Sequence, residues 1–308
     1  MKIYLNRRPK LGPWGGGVKT VNVLSETLAA RGHIVTYSLD PDVEVIFCLD
    51  PRPNDEGVWY QHFLYHRETY GSKIFQRVGD IGTHSKPELT ELVRKTIPLS
   101  DHVTYISDWA RKKIEVKSQN ESVIHLAPPS SFYTHRNQTI SIGDQLNIVT
   151  HHWSNNPKKG GKFYKKIDEF LGKKRDGDFE FTFIGRIDKE LQPRDARYIE
   201  AQDSSFILKT LPSFDVYLTA SVEEAGGNHA IEALACGLPV IYHANGGGVV
   251  DFCQGRGIEY SDFDSFLDAL SKMRKNYSCI KKKVLEYNET LEEVCQKYST
   301  ILEDLDAN

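Results

Sequence analysis

The sequence predicts an α/β protein made of doubly wound parallel sheets. Three observations carry this. Short apolar runs of strand length alternate with helix-period segments, a polar break containing Pro128 and Pro129 interrupts the alternation once, and 308 residues suffice for two ordinary domains. Strands buried on both faces belong to parallel sheets covered by helices. Val43, Val45, Ile46, Phe47, Cys48 and Leu49 read that way.

Taken in order, Lys2 to Asn6 is the first strand. A glycine-rich loop follows, then a helix over 17–31 with Val18, Val21, Leu24 and Leu28 on one face and Gly32 able to cap its end. Strands fall near 33–38, 43–49, 73–78, 102–106 and 122–126, with helices near 58–70, 87–97 and 107–117. The stretch 127–145 reads as a linker. The alternation then restarts with strand 146–151 and helix 161–171, where Phe163, Ile167, Phe170 and Leu171 share a face. Strands 179–185 and 215–221, helix 228–236 and strand 239–243 complete it. Long helices end the chain, and the last aligns Leu291, Val294, Tyr298, Ile301, Leu302 and Leu305 as one stripe. The expected domains are 1–145 and 146–290.

Hydrophobic residues at 39% and charged residues at 26% exclude disordered and fibrous classes. The longest apolar run, 45–49, is too short to span a bilayer, and MKIYLNRRPK lacks the apolar core of a signal peptide. A net charge of −3 gives no nucleic-acid footprint. The five cysteines are odd in number and form no CxxC pair, which fits a reduced cytoplasmic protein.

Two loops carry chemistry. Gly12-Pro-Trp-Gly-Gly-Gly17 lies between the first strand and the first helix, where backbone amides can approach an anion. It is not a P-loop, because Val18 separates Gly17 from Lys19. Nor does any frame supply GxGxxG, although Asp40 imitates a ribose-binding acid and keeps an NAD-dependent oxidoreductase open as a second enzyme reading. The richer loop follows strand 215–221. Glu224 sits at the strand's carboxyl end, Gly226 and Gly227 let the backbone bend, Asn228 and His229 open a helix, and Glu232 lies one turn in. Two carboxylates beside a helix N-terminus suit a ligand that has both hydroxyls and anionic groups.

This stretch, EAGGNHAIEALACGLPV, resembles the Glu-x7-Glu signature of retaining family-4 glycosyltransferases, roughly EGFGxxxxEAxAxGxPV. Thr104–Arg111, Ile124–Phe132 and Gly246–Asp251 give weaker matches in the family's order. The resemblance implies the GT-B fold, two Rossmann-like domains with parallel sheets facing across a cleft, and helix 291–308 packing back on the first domain. It implies retaining, metal-independent transfer of a sugar from a nucleotide-diphosphate donor to a hydroxyl of a glycan or glycoconjugate. The nucleotide sugar is then substrate, and no cofactor is implied.

By the same resemblance Glu224 holds the donor sugar's hydroxyls and Glu232 the nucleotide ribose. Gly226, Gly227, Asn228 and His229 offer backbone amides to the sugar and diphosphate, and Gly15, Gly16 and Gly17 face the diphosphate or acceptor from the first domain. Lys159, within Asn155-Asn-Pro-Lys-Lys-Gly-Gly-Lys162, matches the family's phosphate lysine. The family's arginine at the preceding strand's end is absent, since His151-His152-Trp153-Ser154 stands there. Lys158 or a histidine such as His152 is expected to share its work. Asp80, in Arg77-Val-Gly-Asp80-Ile-Gly-Thr-His84, stands where the family places a His-Asp pair. It reads as an acceptor-orienting group, ahead of His84, or equally as a satisfied loop Asp.

The missing arginine also supports a non-catalytic GT-B domain that binds a nucleotide sugar or glycan. His62-x3-His66 has no third ligand in sequence, and Asp262-Phe-Asp264 reads as a helix N-cap, so no metal site is expected. Lys272, Arg274, Lys275 and Lys281 to Lys283 read as a solvated helix face, with weak peripheral membrane contact as their other meaning.

Overall fold

Six parallel strands form a sheet in each of two units. The structure, a computed structural model, describes residues 1–10, 16–173 and 178–306. Unit 1 comprises Met1–Pro129 and Thr290–Asn308, and unit 2 comprises Ser130–Glu289. The stretch 127–145, read above as a linker, is thus divided: 127–129 belong with unit 1 and 130–145 with unit 2.

In unit 1 the strands are β1 (Lys2–Leu5), β2 (Ile34–Thr36), β3 (Val45–Cys48), β4 (Lys73–Val78), β5 (His102–Tyr105) and β6 (Glu121–Val123), in the order β2-β1-β3-β4-β5-β6. Helices α1 (Gly16–Ala30), α2 (Tyr60–Tyr70), α3 (Pro87–Thr96) and α4 (Asp108–Ile114) connect them. β3 is buried along its whole length, as its unbroken apolar run requires. α4 ends earlier than expected because Glu115 turns left-handed at φ 59°.

Unit 2 holds β7 (Leu146–His152), α5 (Gly161–Lys173), β8 (Phe179–Gly185), β9 (Arg197–Ile199), α6 (Ser204–Thr210) and β10 (Val216–Thr219). It continues with α7 (Asn228–Ala235), β11 (Val240–His243), α8 (Gly248–Cys253), β12 (Gly257–Tyr260) and α9 (Phe263–Leu285). The sheet order is β12-β11-β10-β7-β8-β9. Its core joins Tyr164 and Ile167 of α5 to Phe181, Phe183, Val216 and Leu218 of the sheet and to Phe266 and Met273 of α9. The edge strands β9 and β12 and the short helices α6 and α8 are additions to the elements expected from sequence. Asp262 caps α9, its side chain accepting from Ser265 N at 2.8 Å.

The last helix, α10 (Leu291–Asp306), returns to unit 1. Leu291, Val294, Cys295, Tyr298 and Leu302 join its core beside Val21, Leu24 and Leu28 of α1.

In unit 2 the strand order reverses between β7 and β10, so the connections that leave their carboxyl ends run in opposite directions across the sheet. Ligands of open α/β sheets bind at such a switch point. The Glu224 loop with its helix and the Lys158-Lys159 turn follow these two strands.

Candidate active site

The carboxyl end of β7 delivers two adjacent histidines to opposite faces of the sheet, as strand alternation demands. His151 meets Glu232, the two bonded through Nε2 and Oε2 at 3.0 Å, and Glu232 is only 2% exposed. The Tyr217 hydroxyl brackets His151 from the next strand, accepting from its N–H at 3.0 Å and donating to its carbonyl at 3.1 Å. His152, 3% exposed, turns the other way to Tyr164 of α5, with Nε2 at 2.7 Å from the hydroxyl. That hydroxyl accepts from Ala220 N at 2.9 Å and from Thr150 Oγ1 at 3.2 Å. Thr150 Oγ1 also lies 3.2 Å from His152 Nε2, so the three side chains share one buried network, and Nδ1 of His152 is left without a partner. Burial, reinforced by the nearby His229 and Lys159, lowers the His152 pKa well below the usual histidine value and keeps the ring neutral.

Glu224 lies on the loop after β10, which is stitched to two other loops. Val222 N donates to Lys158 O at 2.9 Å, Glu223 N to Asn245 O at 2.8 Å and Gly248 N to Glu224 O at 2.8 Å. Glu223 takes a left-handed φ of 53° to make this turn. Two ion pairs then clamp the loop to the 157–159 turn: Lys158 with Glu223, and Lys159 with Glu224. The Glu224 side chain is 12% exposed. α7 starts beside it with Gly227 at the N-cap position, where no side chain competes for the helix's amino-terminal N–H groups. Gly227 also has a packing reason, because a Cβ there would lie 2.5 Å from Val249 Cγ2. His229 Nε2 and Thr219 Oγ1 are 2.9 Å apart, and the rings of His152 and His229 are 4.9 Å apart.

The structure therefore brings together Glu224, Lys159, Lys158, Gly226, Gly227, Asn228, His229, Glu232 and His152 around the switch point of unit 2. It also supplies three partners that the sequence reading missed: His151, Tyr164 and Glu223. Strand alternation alone could have flagged His151, since one of two adjacent strand histidines must face α7.

The remaining candidates belong to unit 1. Gly15 lies outside the described residues. Gly16 opens α1, and a Cβ on Gly17 would meet nothing within 4 Å, so packing does not demand glycine there. Asp80 follows β4 and is already engaged, accepting from Gly82 N at 2.9 Å and from Lys86 Nζ at 2.8 Å. His66 is buried between Ser72 Oγ and Asp40 O, each 2.9 Å away, and His62 Nδ1 accepts from Trp59 N. Asp40 pairs with Lys2. Among the described residues no group of three or more His, Cys, Asp or Glu side chains could hold a metal ion. No helix among them is long and apolar enough to cross a membrane.

Residues 149–276 match the family described as glycosyl transferases group 1, a region inside unit 2 that contains both carboxylates and both lysines. No curated protein matches the chain in sequence. Solved structures share its fold over nearly all of both chains, among them the following three. Sucrose-phosphate synthase of Thermosynechococcus elongatus has a TM-score of 0.69 at 14% identity, covering 99% of each chain. HepE of Anabaena, solved with UDP and glucose, has a TM-score of 0.70 at 13% identity, covering 98% of this chain and 99% of its own. WaaG, a glycosyltransferase involved in lipopolysaccharide biosynthesis, has a TM-score of 0.65 at 15% identity with the same coverage. The fold is GT-B. The match over residues 149–276 gives the enzyme class, glycosyltransferase. That class replaces the oxidoreductase reading of Asp40.

Proposed function

We propose that this chain is a retaining, family-4-like glycosyltransferase that moves a sugar from a nucleoside-diphosphate donor to a hydroxyl of a glycan or glycoconjugate, without a metal ion. One observation carries the reading: the Glu224–Lys159 ion pair stands at the sheet's switch point beside the start of α7. Glu224, paired with Lys159, accepts hydrogen bonds from sugar hydroxyls and fixes the ring. As the glycosidic bond breaks, negative charge grows on the diphosphate. The positive end of α7 and the Lys159 ammonium are preorganised to stabilise that charge. Glu232, oriented by His151, is assigned to the ribose, and Asp80 to orienting the acceptor. UDP sugars are the first donors to test, because HepE was solved with UDP and glucose and the pneumococcal transferase GtfA with UDP and GlcNAc. Action in the cytoplasm agrees with cysteines that are all free, four of them buried.

The test is thermal shift with UDP, GDP, ADP and NAD, followed by donor hydrolysis and transfer. Stabilisation by a nucleoside diphosphate together with donor turnover is expected. Glu224→Gln should cut turnover by about a hundredfold or more, the scale of losing a preorganised polar contact, with the melting temperature kept. Stabilisation without turnover of any donor would favour a nucleotide-sugar-binding module, the reading that the missing arginine after β7 supports. Full activity of Glu224→Gln would reject its role.

A further inference from the structure

A cavity of about 110 Å³ opens at the carboxyl ends of β7 and β8, between the 154–157 loop, the first turn of α5 and the 186–191 loop. Its wall includes His152, Asn155, Lys159, Lys162, Tyr164 and Arg186. Two carboxylates also line it. Asp188 Oδ1 accepts from Asn155 Nδ2 at 2.6 Å, and Glu190 stands in the 189–191 turn.

The cations of this wall are not equivalent. Lys159 is committed to Glu224. The side chains of Arg186 and Lys162 are exposed and make no ion pair or hydrogen bond with any described residue. Arg186 comes from β8, yet it is delivered to the end of β7. The register pairs His152 with Gly185, and Gly185 at φ 138° brings the strands so close that a Cβ would lie 2.0 Å from His152 O. Arg186 N then donates to His152 O at 3.0 Å, so the Arg186 backbone lies against the end of β7, which has no lysine or arginine of its own. Parallel neighbours lie about 4.8 Å apart, well within an arginine's reach. A second, independent feature is a buried polar atom left open. His152 forms part of the wall, and its buried Nδ1 has no hydrogen-bond partner.

We propose that Arg186, assisted by Lys162 and the unpartnered Nδ1 of His152, binds the diphosphate of the donor nucleotide and of the nucleoside diphosphate that leaves. This rests on the glycosyltransferase reading above and names a residue for the charge that the end of β7 lacks. A guanidinium offers a planar fork that matches two phosphate oxygens at once, and Lys162 adds a point charge from the first turn of α5. Both groups lie outside the ion pairs that hold the Glu224 loop, so they are available as negative charge develops.

The test compares wild type, Arg186→Ala, Arg186→Lys and Arg186→Ala/Lys162→Ala by calorimetry with UDP, GDP and ADP and with the matching nucleosides. Loss of a charge-assisted contact predicts about tenfold or greater weakening of the preferred diphosphate in Arg186→Ala. Nucleoside affinity and the melting temperature without nucleotide should hold. Arg186→Lys should recover part of the loss, and the double variant should bind more weakly still. Unchanged diphosphate affinity in Arg186→Ala would overturn the assignment while leaving the enzyme class standing. Equal losses for nucleoside and diphosphate would overturn it as well, making Arg186 a wall of the cavity. A wild type that binds none of the three diphosphates and turns over no donor would instead defeat the proposed function itself.

Discussion

His151 and Glu232 illustrate how a single buried contact can set a site. Both side chains are almost fully enclosed, and each supplies the other's hydrogen bond at 3.0 Å. Removing one partner leaves a buried polar group with a lost bond, so His151→Leu should destabilise unit 2 by about 1–3 kcal/mol, measured by urea unfolding. An unchanged unfolding midpoint would mean that Glu232 does not depend on this partner. The contact also explains what sequence could and could not say. Glu224 and Glu232 are legible because one loop and one helical turn hold them eight positions apart, and their glycine and helix-start neighbours agree with them. His151 pairs with Glu232 across 81 positions because β7 lies beside β10. The crossover that makes them neighbours is a property of sheet order, to which a local pattern is blind. Arg186 is hidden in the same way, since its importance comes from the β7–β8 register.

At the scale of elements, legibility follows length and burial. β3, β4 and β8 are buried along most of their length and stand where they were expected. β9 has three half-buried or exposed residues at a sheet edge, and α8 has six residues, too few to show a helical period. The end helices show a different rule, in which a charged clasp fixes how an element docks. In unit 1, Glu303 of α10 accepts from Arg31 Nη2 at 2.7 Å and Nε at 2.9 Å, and lies 2.9 Å from His33 Nε2. The hydrogen bond from Arg31 chiefly lowers the Glu303 pKa from 4.5 to about 2, against the opposing effect of burial and with a lesser contribution from His33. The native carboxylate stays ionised where the unfolded one takes up a proton. Its contribution is therefore intact above about pH 4.5 and fades as pH falls toward 2. Glu303→Gln should lower stability at pH 7 by at most about 1 kcal/mol, as expected for a partly exposed pair. The gap between variant and wild type should close on acidification through that window. A gap equal at pH 7 and pH 3 would show that the clasp does not carry charge-dependent stability.

For the molecule as a whole, the decisive fact is that unit 1 is discontinuous in sequence while unit 2 is not. The core of unit 1 is completed only when α10 adds Leu291, Val294, Cys295, Tyr298 and Leu302. Tyr298 packs edge-on against Phe47 and Phe75, with ring centroids 5.7 and 5.9 Å away, and its hydroxyl accepts from Nε of the buried Arg77 at 3.2 Å. Burying each large apolar side chain contributes about 1.5–3 kcal/mol. Losing several at once is comparable to the entire stability of a domain, about 5–15 kcal/mol. Deleting 290–308 would also strip the buried Arg77 of its hydroxyl partner. Unit 2 keeps its own core, built from residues 142–280, through the same deletion. The truncated chain should therefore lose hydrogen-exchange protection across β1, β3 and β4 while β7, β8 and β10 keep theirs. Tyr298→Phe, which removes only the hydroxyl, should weaken unit 1 without unfolding it. Full protection of β1, β3 and β4 in the truncated chain would mean that the residues before 130 complete a core alone, and that α10 only covers it.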